Sequence, residues 1–107
     1  MTEAQLQAAV IEAAQLFGWR IYHTFDSRRS NAGFPDLVLV RPPEMLFVEL
    51  KSEKGRVRPE QKAWIDDLIA VGNEVLVWRP VDWTNGMITR TLRHRLREKQ
   101  PAGSGRR

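Results

Sequence analysis

Over the first eighteen residues the apolar positions recur at helical spacing: Leu6, Ala9, Val10, Ala13, Leu16 and Phe17. That period predicts a helix over 2–17. Thr2 caps it, Glu3 and Gln5 fall in its first turn, and Gly18 stops it. The period then changes to two. Trp19, Ile21 and His23 alternate with Arg20 and Tyr22, which predicts a strand over 19–25. Residues 26–32 are polar and read as a loop before the turn at Gly33-Phe34-Pro35. Two apolar runs follow, Leu37-Val38-Leu39-Val40 and Met45-Leu46-Phe47-Val48-Glu49-Leu50, joined by Arg41-Pro42-Pro43-Glu44. Runs this short and this close predict a β-hairpin with a proline turn. A second polar loop, 52–58, leads to Pro59, which suits the first turn of a helix. That helix is predicted over 59–71, with Ala63, Trp64, Leu68 and Val71 facing the core and Gly72 ending it. Residues 74–79 read as a strand, 82–86 as a turn, and 87–99 as a short strand entering a basic helix at 92–99. A helix followed by a strand after the hairpin implies a crossover and a mixed sheet. The expected fold class is α/β, a mixed central β-sheet flanked by α-helices.

Composition narrows this picture. At 107 residues the chain is expected to form one domain, residues 1–97, with a basic, disordered tail at 98–107. A chain of this size buries a modest core, so pairing as a homodimer is a natural way to cover leftover apolar surface. There is no cysteine, and His23 and His94 lie far apart, which argues against disulfides and against a zinc site. No run is long and apolar enough for a membrane span or a signal peptide, so a soluble, intracellular, cytoplasmic protein is expected. The net charge of +4 favours a polyanionic partner, and its distribution says more. Basic residues gather at Arg28 and Arg29, from Lys51 to Arg58, and from Arg90 to Lys99.

The first two of those clusters flank the densest chemistry in the chain. Alternate residues of a strand share a face, so Glu49 and Lys51 point one way and Leu50 the other. In the hairpin, Asp36 comes level with Glu49 and Lys51, leaving two carboxylates and one ammonium at one edge of the sheet. Two carboxylates suit a hard divalent cation such as Mg²⁺. A neighbouring lysine can position water or balance charge on a phosphate. Either fragment alone is commonplace at wet strand ends; Pro-Asp, strand, turn and Glu-Leu-Lys in that order and spacing is much more specific. A basic rim around an acidic metal centre is what phosphate-backbone binding needs.

Pro35-Asp36 followed by Glu49-Leu50-Lys51 resembles the motif of the PD-(D/E)XK nuclease superfamily. The fuller pattern, Gly33-Phe34-Pro35-Asp36-Leu37, Val48-Glu49-Leu50-Lys51, Gln61 and an N-terminal helix carrying Glu3 and Gln5, resembles its VRR-NUC branch. The resemblance covers roughly residues 3–80. It implies a restriction-endonuclease-like core and metal-dependent hydrolysis of DNA phosphodiesters. It implies that Asp36, Glu49 and the Leu50 carbonyl bind Mg²⁺ or Mn²⁺, with Glu3 approaching the metal shell. Lys51 would act on the attacking water, and Gln61 would hold the lysine or a phosphate oxygen. Glu3 has a simpler reading beside this one, as an acid complementing the helix dipole. His23 reads as a strand-face residue. Arg28, Arg29, Lys54, Arg56 and Arg58 are the expected DNA contacts, although solvated surface charge explains Arg28 and Arg29 equally well. Stand-alone relatives imply a homodimer that resolves branched DNA such as the four-way (Holliday) junction. Open alternatives are a nickase or flap-type nuclease, an RNA- or nucleotide-cleaving enzyme, and a non-catalytic DNA-binding module.

Overall fold

The computed structural model describes residues 1–25 and 32–94. The chain opens with helix α1, Glu3–Leu16. Its start is fixed reciprocally: the Gln5 backbone N–H donates to Thr2 Oγ1 at 3.1 Å, and the Thr2 N–H donates to Gln5 Oε1 at 2.8 Å. Four strands follow, β1 (Arg20–His23), β2 (Leu37–Arg41), β3 (Glu44–Leu50) and, after helix α2 (Pro59–Ala70), β4 (Glu74–Trp78). A short helix α3, Pro80–Thr84, comes next, and residues 87–94 are helical.

The strands form one sheet in the order β1-β2-β3-β4. β1–β2 and β2–β3 are antiparallel, whereas β3–β4 is parallel and needs α2 as its crossover. The expected mixed sheet is therefore present. The hairpin pairs Leu37 with Val48 and Arg41 with Glu44, so the proline turn is tight, and its Pro42–Pro43 peptide is cis.

Register and alternation divide the sheet into two unlike faces. Leu37, Leu39, Leu46, Val48, Leu50 and Trp78 form the main core with Leu6, Val10 and Ala14 of α1 and with Ile88 and Leu92. Leu6, Val10 and Ala14 are each fully buried and spaced by four, which is why α1 docks along one stripe. Arg41 closes this layer. Its guanidinium lies 4.5 Å over the Trp19 ring and donates to the Phe17 and Leu92 carbonyls at 2.8 and 3.0 Å. The second face carries Val38, Phe47 and Glu49. Here α2 is anchored by Phe34, whose ring meets Phe47 and Trp64 edge-on at 6.0 and 5.0 Å.

Four details differ from the sequence expectation. Residues read as a turn at 82–86 belong in part to helix α3, which Pro80 starts behind the Arg79 cap and in which the Arg79 N–H donates to Asp82 Oδ2 at 2.8 Å. The first strand runs from Arg20 to His23 rather than over 19–25; at its start Trp19 is drawn into the core, where its indole N–H donates to the Leu92 carbonyl at 2.9 Å. Residues 87–94 are helical from the start rather than beginning as a strand, because Ile88 and Leu92, four apart, are both fully buried. Helix α2 is barely buried: Ala63 and Val71 are exposed, Trp64 and Leu68 only half-buried, and Gln61 is its one buried residue. Its deepest point of contact is the first turn, at Gln61. The tail at 98–107 lies outside the described residues.

Candidate active site

The ends of β2 and β3 and the first turns of α1 and α2 meet at one cavity of about 270 Å³. Its lining includes Glu3, Asp36, Glu49, Lys51, Arg58 and Gln61. The hairpin register accounts for the first contact. Leu37 pairs with Val48, which brings Asp36 level with Glu49 at the next step. Asp36 Oδ2 then accepts the Leu50 backbone N–H at 2.8 Å. That bond ties the carboxylate to the strand that carries the other two charges.

Glu49 is 2 % exposed and has two unlike oxygens. Oε2 accepts the Gln61 side-chain N–H at 2.9 Å and lies 3.7 Å from Lys51 Nζ. Oε1 is buried and has no hydrogen-bond partner among the described residues. A buried carboxylate oxygen without a partner is costly unless a cation or donor arrives. Burial, reinforced by the Asp36 charge and opposed by Lys51, raises Glu49 to about 7. Asp36 is also raised by burial, against the pull of the Leu50 N–H and Lys51. Both carboxyls are thus less comfortable as anions than in water.

Gln61 makes a contact that was not expected. It reaches Glu49, not Lys51. Its Oε1 accepts the Arg58 backbone N–H at 2.8 Å, so one amide caps α2 and braces the carboxylate. The reason is placement: Gln61 is the third residue of α2, and its amide nitrogen is the atom turned to β3. Gly33 makes that placement possible. Its φ is +94°, and a Cβ there would lie 2.5 Å from the Glu60 carbonyl oxygen. The loop before Asp36 thus touches the opening turn of α2, and only glycine permits both the backbone angle and the approach.

The expected contacts divide as follows. Glu3, in the first turn of α1, lines the cavity, and its charge helps raise Glu49. Among the described residues no group of three or more His, Cys, Asp or Glu side chains is arranged to hold a metal. Arg58 lines the cavity and pairs with Glu60 at 3.2 Å; Lys54 and Arg56 are exposed on the loop after Lys51. Arg28 and Arg29 lie outside the described residues. Three neighbours were not legible as site residues. Thr24 and Phe25 line the cavity, and Arg79 donates from Nη1 to the carbonyls of Ser52, Glu53 and Gly55 at 2.8, 3.3 and 2.7 Å. That arginine holds the loop between Lys51 and α2. Its signal was too weak in sequence, since a charge after a strand is ordinary.

The donor set fits a hard cation. Asp36 and Glu49 offer two carboxylates, one with an unpartnered buried oxygen. Mg²⁺ commonly uses one or two carboxylates and fills its remaining positions with water and phosphate.

Solved structures support the architecture. One described as a VRR_NUC domain protein matches with a TM-score of 0.65 and 23% identity, over 86% of this chain and 90% of that chain. Another, described as a VRR_NUC domain, matches with a TM-score of 0.62 and 24% identity, over 72% and 84%. At these identities the likeness speaks for the fold. A comparison with curated proteins gives no match. The model of the VRR-NUC domain family matches residues 2–82, most of the chain, and that span includes every cavity residue named above and Arg79. The chain therefore belongs to the VRR-NUC family of nuclease domains.

Proposed function

We propose that this chain is a metal-dependent DNA endonuclease that hydrolyses phosphodiester bonds at the Asp36–Glu49–Lys51 cavity. The observation that carries the reading is the Glu49 carboxylate: buried, beside Asp36 and Lys51, with Oε1 left without a partner. Asp36, Glu49 and the Leu50 carbonyl would hold Mg²⁺ or Mn²⁺, with Glu3 completing the shell directly or through water. The ion, when bound, supplies Lewis-acid stabilisation of phosphate charge and a lower pKa for water. Lys51 orients the attacking water and offsets the negative charge that develops on the phosphate. Gln61 fixes the rotamer of Glu49 and so acts as a positioning residue. Lys54, Arg56 and Arg58 hold the flanking backbone, and Arg28 and Arg29 would extend that grip.

The favoured substrate is branched DNA cut by a homodimer. Support comes from the second face of the sheet and from α2. Met45, Ile69 and Val71 are exposed there, an apolar surface that a second copy would cover. Two cavities at fixed spacing would place symmetric cuts in a four-way junction. Cleavage of a labelled junction, with duplex and single-strand controls, tests this together with sedimentation of the protein. Paired symmetric cuts by a dimer are expected. Metal-dependent cutting of the controls alone, by a monomer, would discard the junction reading and keep the nuclease.

A further inference from the structure

Phe25 is 81 % exposed, the most exposed large apolar side chain among the described residues, and it lines the catalytic cavity. Single exposed apolar residues are ordinary on protein surfaces. This one is set apart by how it is held. The residue before it is tied twice to the aspartate strand: the Thr24 N–H donates to the Asp36 carbonyl and Thr24 Oγ1 donates to the Pro35 carbonyl, both at 2.9 Å. Beneath it lies His23, with ring centroids 4.5 Å apart and planes tilted by 44°. The ring is therefore carried on a short, fixed arm whose base is Asp36 itself, while most of its surface faces solvent.

Such a ring has no use for continuous duplex DNA, whose base faces are already covered by their neighbours. It has a partner wherever a base beside the cut is unstacked. We propose that Phe25, supported by His23, is a stacking platform for an unpaired nucleobase of the DNA strand entering the cavity. This rests on the endonuclease reading for its ligand, and it narrows the substrate class to strands with an unpaired base next to the scissile phosphate: flaps, junction branch points and single strands. The basic loop residues hold phosphate without regard to base pairing; Phe25 supplies the preference for unpaired structure.

The test compares an oligo-dT strand with a strand of equal length built from abasic residues, which keeps the phosphates and removes the bases. Binding is measured by fluorescence anisotropy in EDTA for the full chain, Phe25→Ala, Phe25→Leu and Phe25→Trp. Base–aromatic stacking predicts that the wild type binds oligo-dT roughly ten-fold more tightly than the abasic strand. Phe25→Ala and Phe25→Leu should lose that difference, and Phe25→Trp should keep it. Unchanged melting temperatures are expected for all three, since the ring is exposed. Equal binding of the two strands by the wild type, or full retention by Phe25→Leu, would overturn the proposal. A parallel cleavage series in Mg²⁺ separates the two readings. Base-dependent binding without any metal-dependent cutting would sink the hydrolytic assignment and leave the platform standing.

Discussion

Replacing Glu49 by glutamine should flatten the pH dependence of the protein's stability in the absence of metal. Glu49 has an ordinary value of 4.5 and is raised to about 7 in the folded chain. Below pH 4.5 the group is protonated whether the chain is folded or not, and the burial penalty is absent. Between 4.5 and 7 the unfolded chain releases its proton and the folded chain keeps it, so stability falls as pH rises. Above 7 both states are ionised and the loss is complete. The interval corresponds to about 3 kcal/mol as an upper figure, on the order of 10 °C in melting temperature for a chain of this size. Glu49→Gln keeps an oxygen for Gln61 and cannot ionise. Thermal melts in EDTA at pH 5 to 8.5 should show a falling series for the wild type and a much flatter one for the variant. Asp36, raised in the same direction, still titrates in both. A divalent ion held by Glu49 as proposed would compete with the same proton, so apparent affinity for Mn²⁺ should weaken about ten-fold per unit below pH 7. Parallel pH slopes for wild type and Glu49→Gln would refute the reasoning.

Other substitutions probe the supports of the site. Gly33→Ala meets both a positive φ and the Glu60 carbonyl, and should cost about 2 kcal/mol or more in a denaturant series; an unchanged midpoint would mean that the loop and α2 do not touch. Gln61→Ala removes the α2 cap and a donor to Glu49, and should lower stability by roughly 1–3 kcal/mol and reduce kcat more than KM. Arg79→Ala frees the carbonyls of Ser52, Glu53 and Gly55, and should raise KM for DNA, with Arg79→Lys giving only partial recovery because a lysine cannot reproduce the guanidinium geometry.

What the sequence disclosed, and what it hid, has a physical pattern. The juxtaposition of Asp36 with Glu49 and Lys51 was legible because a hairpin with a tight proline turn has almost no freedom of register. The mixed sheet was legible because a parallel pair demands a crossover, and α2 was the segment available. The weak burial of α2 was not. Its residues recur at core spacing, but periodicity reports which side is apolar and not how closely another element approaches. Residues 87–94 misled for a related reason. β-propensity around Ile88 and Thr89 competed with the four-residue spacing of Ile88 and Leu92, and packing against α1 and the sheet decided for helix. The partner of Gln61 was hidden because the place of the first turn of α2 is fixed by tertiary contacts, the close approach at Gly33, the Phe34–Trp64 packing and the Arg79 bonds to the preceding loop.

The proposed metal-dependent hydrolysis depends on Lys51 together with the two carboxylates. Its most direct test is cleavage of labelled branched DNA by the wild type and Lys51→Ala, in Mg²⁺, Mn²⁺ and EDTA, with binding followed on the same samples. Cutting by the wild type in either metal and not in EDTA, with Lys51→Ala binding DNA but failing to cut it, is the predicted result. Cutting by Lys51→Ala at the wild-type rate, or undiminished cutting in EDTA, would contradict it.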